Sequence, residues 1–218
     1  LIPIDTDGFY FTDAISDNAV DMIEDAAQGD NPFFIHIAYT SPHWPLHALE
    51  EDIARYQGVY KDGWDSLRTG RHEEMKGRGI VDSKWEISPR DESAPAWSDA
   101  REKDWEALRM AAYAAQIDIM DQGIGRILNT LDRLGIADNT VVVFTTDHGH
   151  FLGQHGLIAK GAFHYEDLLR LPMIARYPGH IPAGSTTNAL QGLIDFPSTF
   201  LSAAGIDIPG LMQGVDQM

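Results

Sequence analysis

Cysteine is missing from the sequence altogether, which excludes disulfide staples, thiolate-held metals and a cysteine nucleophile within these 218 residues. Its absence does not assign a reducing compartment, because secreted proteins also do without it. Basic charge is scarce: 16 Lys and Arg stand against 33 Asp and Glu, a formal net charge of −17. A surface of that sign repels phosphate backbones, so nucleic acid is not an expected partner. No apolar run approaches the roughly 20 residues that a bilayer-spanning helix needs, and no membrane span is expected. No leader pattern opens the chain, which starts on Leu1 rather than Met. What remains is ordinary globular composition, 44% hydrophobic and 22% charged, enough for a sizeable core. The acidic excess suits a protein that binds divalent cations, and equally a solvated surface.

Thr12 or Ser16 is a candidate cap for a first helix ending near Gly29, with Ile15, Ala19, Met22, Ile23 and Ala26 on one face. After Asn31-Pro32 the run FFIHIAY (33–39) is short and almost wholly apolar, which predicts a buried strand. It leads into TSPHWP (40–45), where two prolines forbid regular structure. Residues 52–104 are rich in Gly, Arg, Trp and Pro and read as a long, partly helical surface excursion. A long helix follows on Trp105, Leu108, Ala112, Ala115, Ile119, Ile124, Ile127, Leu128, Leu131 and Leu134, ended by Gly135. VVVFTT (141–146) is the clearest strand, residues 173–177 a further one, and 196–204 another helix. Helices alternating with apolar strands predict an α/β fold with a mostly parallel central sheet sandwiched by helices.

Ligands in such folds collect outside the carboxyl ends of strands. There the 141–146 strand delivers Asp147, His148 and His150, and the 33–39 strand delivers His43 and then His47. Asp147 offers a hard carboxylate suited to Ca²⁺ or Mg²⁺, and His148 an imidazole more typical of transition metals. The plainer alternative is that Asp147 caps the next turn and His148 hydrogen-bonds locally. Lys160, in a glycine-rich loop, is either an anion-binding point charge or a solvated surface lysine.

The combination is more specific than its parts. TTDHGHFLGQHGLIAK (145–160), followed by HYEDLLRLP (164–172), resembles the sulfatase family of the alkaline-phosphatase-like superfamily. NPFFIHIAYTSPHWPLHA (31–48) is similar to the family segment in which a buried strand leads to a Pro-His-x-Pro turn. YKDGWDSLR (60–68) and AAYAAQIDIMDQGIGRILNTL (111–131) are similar to bacterial arylsulfatases. ARYPGHIPAGSTTNALQGLIDFPSTFLSAAGI (175–206) resembles the family's next strand and helix. The resemblance implies an alkaline-phosphatase-like fold, with residues 1–218 an internal, central to C-terminal part of a large catalytic domain, incomplete at both ends.

It further implies metal-assisted hydrolysis of a sulfate ester by a formylglycine nucleophile. Asp147 and His148 match the second pair of metal ligands, Lys160 the lysine that contacts sulfate, and His43 the histidine beside the leaving oxygen. His164 is expected to approach substrate; His155 and Gly156 shape their loop, and His36, His47, His72 and His180 are structural or surface residues. The metal is expected to be Ca²⁺, with Mg²⁺ an alternative, and the substrate a small-molecule or glycan sulfate ester. The family also favours a periplasmic or secreted location.

Two family elements are missing. No Cys/Ser-x-Pro-x-Arg motif occurs, and Asp5 and Asp7, split by Thr6, do not form the family's first Asp-Asp pair. The nucleophile and remaining ligands are therefore expected upstream of Leu1, and these 218 residues alone are expected to be inactive. The alternatives are a phosphodiesterase or phosphonate monoester hydrolase of the same superfamily, and an inactive homologue acting as a binding module.

Overall fold

The computed structural model describes residues 8–217 apart from 91, 93 and 153, so Asp5 and Asp7 lie outside the described residues. It divides into two units, residues 1–137 with 151–159, and residues 138–150 with 160–218.

The first unit is built on helix α1 (Phe11–Ala26) and the 31-residue α4 (Lys103–Arg133). Arg126 pairs with Asp13 and Asp17, and Arg133 with Glu24, so the partner positions ascend together and the two helices run in the same direction. Thr12 and Ser16 lie inside α1 rather than at its start, where Tyr10 takes the cap position. Their hydroxyls serve packing instead: Thr12 Oγ1 lies 2.6 Å from Ser41 Oγ, and Ser16 Oγ lies 2.8 Å from the Tyr39 hydroxyl. The buried stripe is accordingly Thr12, Ser16, Ala19 and Ile23, while Met22 is exposed. Gly123 of α4 faces this polar seam; a Cβ there would stand 2.1 Å from Ser16 Oγ. On α4 the expected face also narrows, to Ala111, Ala115, Gln116, Ile119, Gly123, Ile127, Thr130 and Leu131, with Trp105 and Leu108 exposed. Gly135, at φ 71°, ends the helix, and the Ile136 amide reaches back to the Leu131 carbonyl.

The described residues of 52–104 are held by contacts among themselves and with α4. Helix α2 (Glu50–Ala54) is tied to α4 by Arg55, which bridges Asp52 at 2.7 Å and Asp118 at 3.0 Å. Helix α3 (Gly63–Gly77) carries Trp64 edge-on to Trp97, and Gly63 leaves the space that the Trp97 ring fills. His72 Nε2 donates to the Trp85 carbonyl at 3.0 Å, and Tyr10 donates to the His47 carbonyl at 2.9 Å. Both histidines thus have structural partners.

Among the described residues the strands form two small pairs, both antiparallel. β1 (Val142–Thr145) pairs antiparallel with β4 (Met173–Arg176), in the register Val142 to Arg176 through Thr145 to Met173. β2 (Phe151–Leu152) and β3 (Ile158–Ala159) form a second antiparallel pair. The chain between β1 and β4 carries the short β2 and β3 and the four-residue helix α5 (Glu166–Leu169). Residues 33–39 are extended without a ladder among the described residues, and from Phe34 onward they alternate between exposed and half-buried. Ile35, Ile37 and Tyr39 form the covered face, so the run has strand periodicity but only one covered side. Among the described residues no helix is long and apolar enough to cross a membrane.

In the second unit α6 (Asp195–Ala203) organises the chain around it. Asp195, 8% exposed, accepts hydrogen bonds from the Gly192 and Val215 amides, both at 2.9 Å. Ser198 donates to the Gly214 carbonyl at 2.8 Å, which straps residues 214–217 onto the helix. The two amides hold the Asp195 carboxyl below the usual carboxylate range. A lowered carboxylate pKa adds stability above the unfolded value and loses it as pH falls through the folded one. Acid unfolding should therefore weaken this unit as pH drops below the ordinary Asp range. Asp195→Asn should flatten that dependence while lowering the denaturant midpoint at neutral pH, measured by urea titration at several pH values.

Candidate functional site

The chemistry-bearing residues of the second unit follow directly from β1. Past Thr145 the chain turns, and the His148 amide donates to Asp147 Oδ1 at 3.0 Å. The Thr146 hydroxyl lies 3.3 Å from the same oxygen. This local hydrogen bonding is what the plainer reading of the pair anticipates, but it uses only one carboxylate oxygen. The other, Oδ2, faces His148 Nε2 at 3.2 Å. His148 Nδ1 lies 2.8 Å from the Gly149 carbonyl, which can only accept, so Nδ1 carries a proton; the Lys160 ammonium, which can only donate, makes Nε2 the acceptor. Lys160 Nζ approaches that Nε2 to 2.7 Å.

Two lone-pair donors therefore converge with an ammonium beside one of them. Asp147 Oδ2 and His148 Nε2 are the two atoms of this turn that stand side by side, 3.2 Å apart. One carboxylate oxygen and one imidazole nitrogen are donor types that a divalent cation accepts. Among the described residues no group of three or more His, Asp or Glu closes around a metal.

Gly149 was not singled out from the sequence, although it directly follows the Asp-His pair. Its amide donates to the Leu168 carbonyl at 3.0 Å, and a Cβ there would lie 1.8 Å from the Asp167 carbonyl oxygen. The turn that aims Asp147 and His148 thus rests directly on the α5 backbone. His164, in the loop before α5, is exposed and makes no hydrogen bond to Asp147, His148 or Lys160. His155 adopts φ 55° and sets its ring edge-on to Phe151, the buried first residue of β2.

His43 belongs to the first unit. Its amide donates to the Thr40 carbonyl at 2.8 Å, closing the turn. Nδ1 lies 2.6 Å from the Trp44 carbonyl, so it carries a proton, and Nε2 is the atom presented outward.

A solved phosphonate monoester hydrolase from Silicibacter pomeroyi matches with a TM-score of 0.65 at 23% identity, over 94% of this chain and 40% of that one. A structure solved in complex with its substrate D-glucosamine-2-N,6-O-disulfate matches with a TM-score of 0.65 at 26% identity, over 95% and 51%. The fold is that of the alkaline-phosphatase-like hydrolases. The sulfatase family model matches residues 3–206, and the chain belongs to the sulfatase family. It is 36% identical over 178 residues to an N-acetylglucosamine-6-O-sulfatase of Bacteroides thetaiotaomicron, spanning 76% of this chain and 28% of that relative.

Gly149→Ala should destabilise the second unit by about 1–3 kcal/mol, the usual effect of overpacking against backbone that cannot yield. Chemical denaturation of the purified chain measures this; a change under about 0.5 kcal/mol would mean that the turn does not rest on α5.

Proposed function

We propose that this chain supplies the sulfate-binding half of a sulfuric ester hydrolase. The observation that carries the proposal is the cluster of Asp147, His148 and Lys160 at the end of β1. A sulfate ester is anionic, and charge on its oxygens must be held while the bond to the leaving group breaks. Asp147 and His148 would hold a divalent ion, which we assign as Ca²⁺ with Mg²⁺ the alternative. When bound, that ion supplies fixed positive charge beside the sulfuryl oxygens.

The remaining work falls to this chain's own groups. Lys160 leaves His148 Nε2 and donates a hydrogen bond to a sulfuryl oxygen, where a preorganised cation is worth more than it is in water. His43, its Nδ1 proton committed to the Trp44 carbonyl, carries the transferable proton on Nε2 and gives it to the departing ester oxygen. His164, exposed before α5, is assigned to substrate contact beyond the sulfate. The nucleophile has no candidate among the 218 residues, and no Cys/Ser-x-Pro-x-Arg motif is present to make a formylglycine.

For the substrate class we propose a ring-bearing sulfate ester, a sulfated sugar or an aryl sulfate. Similarity to an N-acetylglucosamine-6-O-sulfatase and to an arylsulfatase of Klebsiella aerogenes, 33% identical over 153 residues, supports this. The phosphonate monoester hydrolase likeness supports a second reading, in which the same cluster holds a phosphoryl group.

Side-by-side rates of the full-length enzyme on 4-nitrophenyl sulfate, glucosamine 6-sulfate and a phosphonate monoester separate the two. Sulfate esters should be the better substrates, and Lys160→Ala should cut kcat/KM on them by about 10²–10³. Preference for the phosphonate, or a Lys160→Ala rate within about threefold of wild type, would contradict the assignment.

A further inference from the structure

Trp44 is left unused by the reading above, and its setting is unusual. The loop that carries it is pinned at both ends. Ser41, buried, bonds to Thr12 of α1 at 2.6 Å, and the His47 carbonyl accepts from the buried Tyr10 hydroxyl at 2.9 Å. Pro42 and Pro45 flank its tip and restrict the backbone there. The His43 amide closes the turn onto Thr40, and the His43 ring is fixed by its bond to the Trp44 carbonyl. On this rigid support the Trp44 side chain stands 73% exposed. Its ring plane lies within 21° of the His43 ring, with centroids 6.3 Å apart.

A large aromatic face held in water on a preorganised loop is a feature of recognition sites, where a flat apolar surface is kept ready for a ligand. A six-membered ring laid on the indole lies nearly parallel to the imidazole as well. An ester oxygen projecting from that ring toward His43 then arrives beside the group that presents Nε2. We infer that Trp44 is a specificity-determining residue that stacks against the ring of the leaving group, the pyranose C–H face or the aryl face, and aligns its ester oxygen with His43. This deepens the proposed reaction and rests on it, because a ring is recognised here only if it is the leaving group of the bound sulfate.

The test uses the full-length enzyme with Trp44→Ala and Trp44→Phe. It compares KM and kcat for glucosamine 6-sulfate and 4-nitrophenyl sulfate with the inhibition constant of methyl sulfate, which keeps the sulfate and lacks the ring. Trp44→Ala should raise KM for the preferred ring ester about tenfold, the scale of one aromatic stacking contact. It should raise the methyl sulfate constant by no more than about twofold, and Trp44→Phe should recover most of the loss. Equal weakening of ring ester and methyl sulfate, or an unmoved KM, would overturn the platform while leaving the hydrolase reading standing. Equal failure of both variants with a lowered melting temperature would make Trp44 a packing residue and overturn it too. A wild-type enzyme that turns over no sulfate ester would overturn both readings together.

Discussion

A carboxylate oxygen and an imidazole lone pair facing each other at 3.2 Å repel unless positive charge sits close by. At the end of β1 that charge comes from Lys160, whose ammonium lies against His148 Nε2. The position of the second carboxylate oxygen, the tautomer of His148 and the placement of Lys160 all answer to this one electrostatic demand. The local fold serves it in turn. Asp147 Oδ1 is spent on the backbone, Nδ1 of His148 on the Gly149 carbonyl, and Gly149 itself on contact with α5. The atoms left over are the ones that a cation would need.

The same logic of committing one atom so that another is presented recurs in the first unit. His43 is held by its Nδ1 to the Trp44 carbonyl, which leaves Nε2 outward. The loop bearing it is anchored by hydroxyls from Thr12 of α1 and from Tyr10. Where α1 meets Gly123 of α4 the contact is polar: Ser16 serves Tyr39, and Gly123 makes room for Ser16.

Much of this was legible in the sequence, and what was not has identifiable causes. Long elements with helical period emerged close to where they stand, including α4 with its stop at Gly135 and α6 after residue 195. The partner and direction of β1 within the described residues were not legible, because an apolar run such as 142–145 looks the same beside a parallel or an antiparallel neighbour. Thr12 and Ser16 were read as caps because their hydroxyls favour helix starts. In the fold those hydroxyls are claimed by Ser41 and Tyr39, partners too distant in sequence to be foreseen. Residue types at the candidate site were legible through the Asp-His-Gly and Pro-His-Trp-Pro strings. The tautomers, the pairing of Lys160 with His148 and the requirement for Gly149 needed coordinates.

The central claim is that Asp147 and His148 are placed to hold a cation at the position where the Lys160 ammonium otherwise meets His148 Nε2. Isothermal titration of the chelator-stripped full-length enzyme with Ca²⁺, and then with Mg²⁺, tests it most directly. The account predicts saturable binding of one ion that is lost or weakened at least tenfold in Asp147→Ala and in His148→Ala. It also predicts equal or tighter ion binding in Lys160→Ala, where the competing ammonium is gone. Binding that is absent in the wild type, or indifferent to Asp147 and His148, would contradict it.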